Sequence, residues 1–145
     1  MATIDVDNLP YADGDFYAFE DLLSDKERDR LLEVRAWLKA EVTPHAADWW
    51  NAGEFPHHMI PKIAELDVMS PVYRQGHSNL FAGLCHAEFT RADTSFATFL
   101  GVHDGLFTGS IEALASEEQK AAWLPDIYSM KKIGAFGLTE PLGGS

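Results

Sequence analysis

Cysteine is nearly missing from this chain: Cys85 stands alone among 145 residues and cannot close an internal disulfide. Basic residues are scarce as well, 11 against 23 acids for a formal charge of −12. Such a surface repels phosphate backbones and anionic bilayers, which excludes nucleic acid and membrane as partners. No apolar run approaches the roughly 18 residues of a membrane span. The longest candidate, Phe99 to Leu106, is broken by Gly101, His103 and Asp104. The amino terminus, MATIDVDNLPYADGD, lacks the basic segment and apolar stretch of a secretory leader, and the chain reads as cytoplasmic. Internal repeats and low-complexity segments are absent too.

What remains is a chain of one-domain length whose hydrophobic content, 46%, suffices for a buried core. Residues 1–23 mix acids with Tyr11, Phe16, Tyr17 and Phe19 without a clean period. They are expected to form an arm packed through its aromatics, with the first ten residues disordered. Ser24-Asp25-Lys26-Glu27 has the spacing of a capping box, in which serine and the acid three residues on satisfy backbone N–H groups at a helix start. Leu31, Val34, Leu38 and Val42 then recur at intervals of three and four, and Pro44 ends the helix.

Short helices are expected over 45–51 and 60–66, and Pro71 to Asn79 reads as a polar loop. A further helix should run from Leu80 to about Arg91, with Asp93 or Thr94 capping the next. Residues 95–114 are apolar on more than one face and predict a long central helix, the most buried element. Ser116-Glu117-Glu118-Gln119 repeats the capping-box pattern and opens a last helix, bent or ended by Pro125. Only then does a strand-like run appear, Ile133 to Leu138, whose glycines permit close approach by another molecule. A single strand leaves its backbone groups unpaired, so this run reads as the start of a β domain whose other strands lie elsewhere. The fold class is all-α: a helical bundle over 24–132 after an arm at 1–23, closing on the first strand and turn of a truncated middle β domain at 133–145.

Residue chemistry by itself offers little else. Six histidines include His57-His58, but neighbours on a helix diverge by about 100°, and neither a His-Glu-x-x-His pattern nor a cysteine pair is present, so no metal site is assigned. Cys85 and His86, adjacent on a helix, do not face each other as a nucleophile pair must. Trp37, Trp49, Trp50 and Trp123 are read as packing.

Phe136-Gly-Leu-Thr-Glu-Pro-Leu-Gly-Gly-Ser145 resembles the flavin-site signature of the acyl-CoA dehydrogenase family. Ser116-Glu117-Glu118-Gln119-Lys120 with Trp123-Leu124-Pro125 resembles the same family's helix leading into its β domain, and Arg91-Ala-Asp93 its helix junction. The wording is similar to that of the glutaryl-type and short-chain branches, with one departure. Ala97 and Gly101 stand where glutaryl-type members keep an arginine and a serine for the far carboxylate, which favours a short neutral acyl chain.

The resemblance implies a parent enzyme that uses FAD to oxidise an acyl-CoA thioester to its α,β-enoyl form, passing electrons to an acceptor, and that assembles as a homotetramer. By the same resemblance Phe136, Leu138 and Thr139 meet the flavin, and Gly144 and Ser145 approach the pyrophosphate or the thioester. Phe99, Gly101 and Val102 border the acyl chain, together with Ser145. No catalytic residue falls within the chain: Glu140 is structural and the proton-abstracting glutamate lies beyond residue 145, so the isolated chain is expected to be an inactive fragment. Rival readings are a helical binding module without chemistry, or the corresponding part of an acyl-CoA oxidase or flavin monooxygenase.

Overall fold

Ser24 starts the first long helix in the manner its spacing predicts. In the computed structural model, which describes residues 14–143, its hydroxyl accepts from the Glu27 N–H while the Glu27 carboxylate accepts from the Ser24 N–H at 3.2 Å. Helix α1, Asp25–Glu41, carries Leu31, Val34 and Leu38 into the core on one stripe, and Val42 follows at its end. Helix α2, Ala46–Ala52, is a short connecting helix, and α3, Ile60–Glu65, takes Pro61 in its first turn, where a missing N–H costs nothing.

Helix α4, Asn79–Ala92, lies against α1 and is capped by Ser78, whose oxygen accepts from the Phe81 N–H at 3.1 Å. Asp93 then leaves the helical region at φ −164° and caps α5, Thr94–Leu100, accepting from Ser95 N–H at 2.7 Å. Its choice over Thr94 follows from its carboxylate being the better acceptor at a helix start.

The expected long helix exists but is not uniform. Between α5 and α6, Gly109–Leu114, residues Gly101–Thr108 wind as a π-helix. Its wider turn shows in the Thr108 hydroxyl, which donates to the His103 carbonyl five residues back at 2.6 Å. Nor is it buried throughout. Phe96, Ala97, Leu100, His103 and Thr108 are buried, whereas α6 buries none of its side chains and Leu114 is 84% exposed.

Helix α7, Glu117–Tyr128, has the second capping box, Ser116 with Gln119. Pro125 does not end it. The helix passes through the proline to Tyr128, and the Ser129 hydroxyl donates to the Pro125 carbonyl at 2.9 Å, supplying one of the bonds a helix end leaves open. Met130, in the left-handed region at φ 54° and buried, turns the chain into the tail.

The arm departs from its sequence reading. Phe16 and Tyr17 are exposed, at 93% and 82%, and the docking group is instead an acid. Glu20, on a 3-10 turn at Phe19–Leu22, is buried against the Arg35 guanidinium, which also holds Glu88 of α4 at 2.9 Å. Burying these carboxylates is tolerable because a shared cation offsets them. The expectations for the first ten residues and Tyr11 lie outside the described residues.

Among the described residues no strand forms. Residues 133–139 are neither helical nor paired, because the ladder partners a strand requires are not among them. The tail closes on a tight turn, Glu140 and Gly143 exchanging backbone hydrogen bonds at 2.6 and 3.3 Å.

Candidate functional site: the tail and the helix beneath it

The tail is fixed at one point. Gly134 N–H donates to Nδ1 of His103 at 3.1 Å, and Nε2 of the same ring lies 3.2 Å from the Ile127 carbonyl. A carbonyl only accepts and an amide N–H only donates, so the ring carries its proton on Nε2 and is neutral. Burial holds His103 below the ordinary histidine value, against the Ile127 carbonyl, which favours the charged form.

Gly134 also lies so close to the Phe107 ring that an added Cβ would sit 1.8 Å from its Cδ1. The sequence reading expected close approach at this glycine by another molecule; the approaching group is a phenylalanine of the same chain. Gly137 has open space around it instead.

Past this anchor the segment is free. Phe136 and Leu138 are 44% and 62% exposed, Thr139 is exposed, and among the described residues no hydrogen bond engages the backbone of 135–139. The backbone donors and acceptors of 135–139 are therefore left available to an outside partner. Glu140 takes part through its backbone in the closing turn. Gly144 and Ser145 lie outside the described residues.

The three residues expected to border an acyl chain are not gathered in one place. Phe99 meets Phe55 in a tilted contact at 5.2 Å and stacks with His103 at 6.0 Å, on the tail-facing side of the helix. Gly101, two residues on and so about half a turn away, lines a cleft of about 480 Å³ on the other side with Gly105 and Gly109. Val102 is half-buried and lines neither feature.

That cleft, between the long helix, α4 and the loop at 68–73, holds polar groups the sequence reading missed. Asp104 accepts from the Ser70 N–H at 2.8 Å, and Glu112 accepts from the Ser70 hydroxyl and, at 2.8 Å, from Tyr128 OH. Burial first, then the Glu112 charge, pushes Asp104 up to about 6, against the Ser70 N–H bond. Their eight-residue separation, about two helical turns, puts them near one face, but Ser70, which bonds both, lies 34 and 42 residues away and is hidden by sequence distance. Cys85 lines the same cleft, and burial pushes its thiol up to about 12, which makes it inert.

Among the described residues no cluster of three or more metal-ligating side chains exists, and no helix is long and apolar enough to cross a membrane. The domain family described as acyl-CoA dehydrogenase, N-terminal domain, matches residues 24–131. The chain belongs to the acyl-CoA dehydrogenase family.

Its relatives include the mitochondrial isobutyryl-CoA dehydrogenase of Dictyostelium discoideum, 33% identical over 114 residues that make up 75% of this chain and 27% of the relative. An acyl-CoA dehydrogenase of Bacillus subtilis is 32% identical over 117 residues, 77% of this chain and 31% of its own length. In structure the chain is similar to a glutaryl-CoA dehydrogenase of Mycobacterium smegmatis in complex with FADH2, with a TM-score of 0.81 and 31% identity over 89% of this chain and 34% of that one. The chain, a member of this family, spans about a third or less of the length of these relatives.

Proposed function

We propose that this chain is the N-terminal part of an FAD-dependent acyl-CoA dehydrogenase, that its helical body covers 24–132, and that residues 133–145 are the first strand and turn of a middle β domain. The observation that carries the reading is the tail: a non-helical, largely exposed run held at Gly134 and otherwise unpaired among the described residues, directly after the helical domain of this family. The groups present fit a flavin. The free backbone edge and the exposed Phe136 and Leu138 side chains suit a flat ring, and the Thr139 hydroxyl, which both donates and accepts, suits its polar edge.

When bound, the flavin would supply the hydride acceptor for the acyl β-carbon. The chain's own part is to orient and to exclude water. Thr139 would donate toward the ring edge where charge gathers, and Gly144 and Ser145 would bring main-chain N–H groups to the cofactor or thioester. Of Phe99, Gly101 and Val102, which lie apart on the helix, Gly101 in the cleft is the one proposed to border the acyl chain. At the position of the glutaryl-type arginine Ala97 is buried in the core, with no cation to meet a second carboxylate, which supports a short neutral acyl group.

No base is assigned before residue 145, so the 145-residue chain is expected to be inactive alone. A homo-oligomeric, cytoplasmic parent enzyme is part of the same proposal, the latter resting on the single cysteine.

The test is to express the reading frame through whatever follows Ser145. The expected protein is yellow, is bleached by butyryl-CoA without oxygen, and passes its electrons to a dye acceptor. A colourless product that refuses added FAD overturns the reading. Hydrogen peroxide in air at the rate of substrate use would favour an oxidase instead.

A further inference from the structure

We infer that His103 is a positioning residue that seats the segment from Gly134 to Thr139 only while its ring is neutral, so that proton uptake by this imidazole unseats the segment. That this segment faces a flavin rests on the functional reading above; the clamp itself does not.

The geometry makes the two ring nitrogens non-interchangeable. Ile127 presents only an acceptor at 3.2 Å and Gly134 only a donor at 3.1 Å. A second proton has one place to go, Nδ1, where it would oppose the Gly134 N–H and remove the tail's acceptor. The ring is fully buried, between Phe99 at 6.0 Å and Phe107 at 6.2 Å with interplanar angles of 21° and 20°, so water cannot take over either bond. Phe107 is also the surface on which Gly134 rests. The glycine is thus held by Nδ1 and fitted to the phenyl ring, and loss of the hydrogen bond removes the one directional contact at this point.

No carboxylate compensates an imidazolium here. On the helix itself Asp104 is bonded to the Ser70 N–H at 2.8 Å. On the packed elements, Asp126 of α7 and Lys132 of the tail pair with each other at 2.8 Å. Among the described residues none of these groups, nor Lys131, forms a hydrogen bond or ion pair with the ring.

The sign follows. The seated state holds His103 below its ordinary value, so seating is complete above the ordinary histidine range and is lost as pH falls through the depressed value. Between the ordinary and the depressed value a one-proton linkage lowers the ratio of seated to unseated tail about tenfold per pH unit.

The experiment follows the Gly134 amide by nitrogen-15 NMR in the 145-residue chain between about pH 8 and pH 4.5. The expected result is a protected amide whose protection, corrected for intrinsic exchange, falls about tenfold per pH unit below the ordinary histidine value and levels off where the His103 ring itself takes up its proton. Two variants separate the acceptor from the packing. His103→Asn keeps an amide oxygen near the Nδ1 position and should hold Gly134 protected at every pH. His103→Gln keeps an N–H near Nε2 for Ile127 but no acceptor for Gly134, and should leave it unprotected at every pH.

Both variants lose the ring, so identical behaviour of the two would overturn the inference, as would flat protection in the wild type. The wild-type titration stands even where a variant fails to fold. A titrating Gly134 in a full-length protein that takes up no FAD would sink the flavin reading and leave the clamp. A flat Gly134 in a yellow protein would do the reverse.

Discussion

Glu27 shows how much one side chain does in this fold. Its Oε1 accepts from the Ser78 N–H at 2.7 Å, at the start of α4, while Oε2 accepts from the Ser24 hydroxyl at 2.9 Å, at the start of α1. The Ser78 bond chiefly, with those to Ser24 and against the cost of burial, holds its carboxyl down at about 2. Because the folded value is depressed, the stabilisation is fully present above the ordinary glutamate value and disappears as pH falls toward about 2. Glu27→Gln should therefore cost about 1.5–3 kcal/mol in urea denaturation at neutral pH, and the gap to wild type should close on acidification. A gap that stays constant from neutral pH to the acid limb would refute the assignment. Half of this was legible beforehand: Ser24 and Glu27 announce the cap by spacing alone, but nothing local says that the second carboxylate oxygen reaches a residue 51 positions away. His103 was less legible still, since its role comes from Ile127 and Gly134, which sequence distance hides.

Elements that carry their own start signals were readable, and elements defined by their neighbours were not. The two capping boxes, the Asp93 cap and the Leu31, Val34 and Leu38 stripe are local chemistry, so the positions of α1, α5 and α7 follow from the residues themselves. The π-helix follows from no such signal, although the spacing of four that Gly101, Gly105 and Gly109 share, and Phe99, His103 and Phe107 likewise, already puts each set on one helix face. The arm is a second case: its aromatics suggested packing, whereas its attachment is the ion triad of Glu20, Arg35 and Glu88 joining arm, α1 and α4. Removing the shared cation leaves two buried acids facing each other, so Arg35→Met should destabilise by about 3–5 kcal/mol, and adding Glu20→Gln and Glu88→Gln should recover most of it. Denaturation midpoints of the single and triple variants test this. A single variant within about 1 kcal/mol of wild type would mean that the triad behaves as an exposed pair does.

For the whole molecule two surface properties oppose each other. A formal charge of −12 keeps copies apart, while the helical body and its tail leave Leu114, Phe136, Leu138 and Leu142 in water, the last of them fully exposed. Apolar surface of this kind attracts itself over contact distances, whereas charge repulsion acts over a Debye length of about 10 Å at 0.1 M salt and about 3 Å at 1 M. Salt therefore weakens the repulsion and leaves the attraction in place. The 145-residue chain should sediment as a monomer at low ionic strength and associate reversibly as salt rises toward 1 M, and Phe136→Ser with Leu138→Ser should suppress that association without moving the denaturation midpoint. The double variant tests the tail because neither residue belongs to the buried core. Association that weakens with salt would assign it to charge pairing. Association undiminished in the double variant would move the sticky surface from the tail to Leu114 or to the exposed aromatics of the arm, and would remove one support for reading residues 133–139 as a surface shaped to be covered.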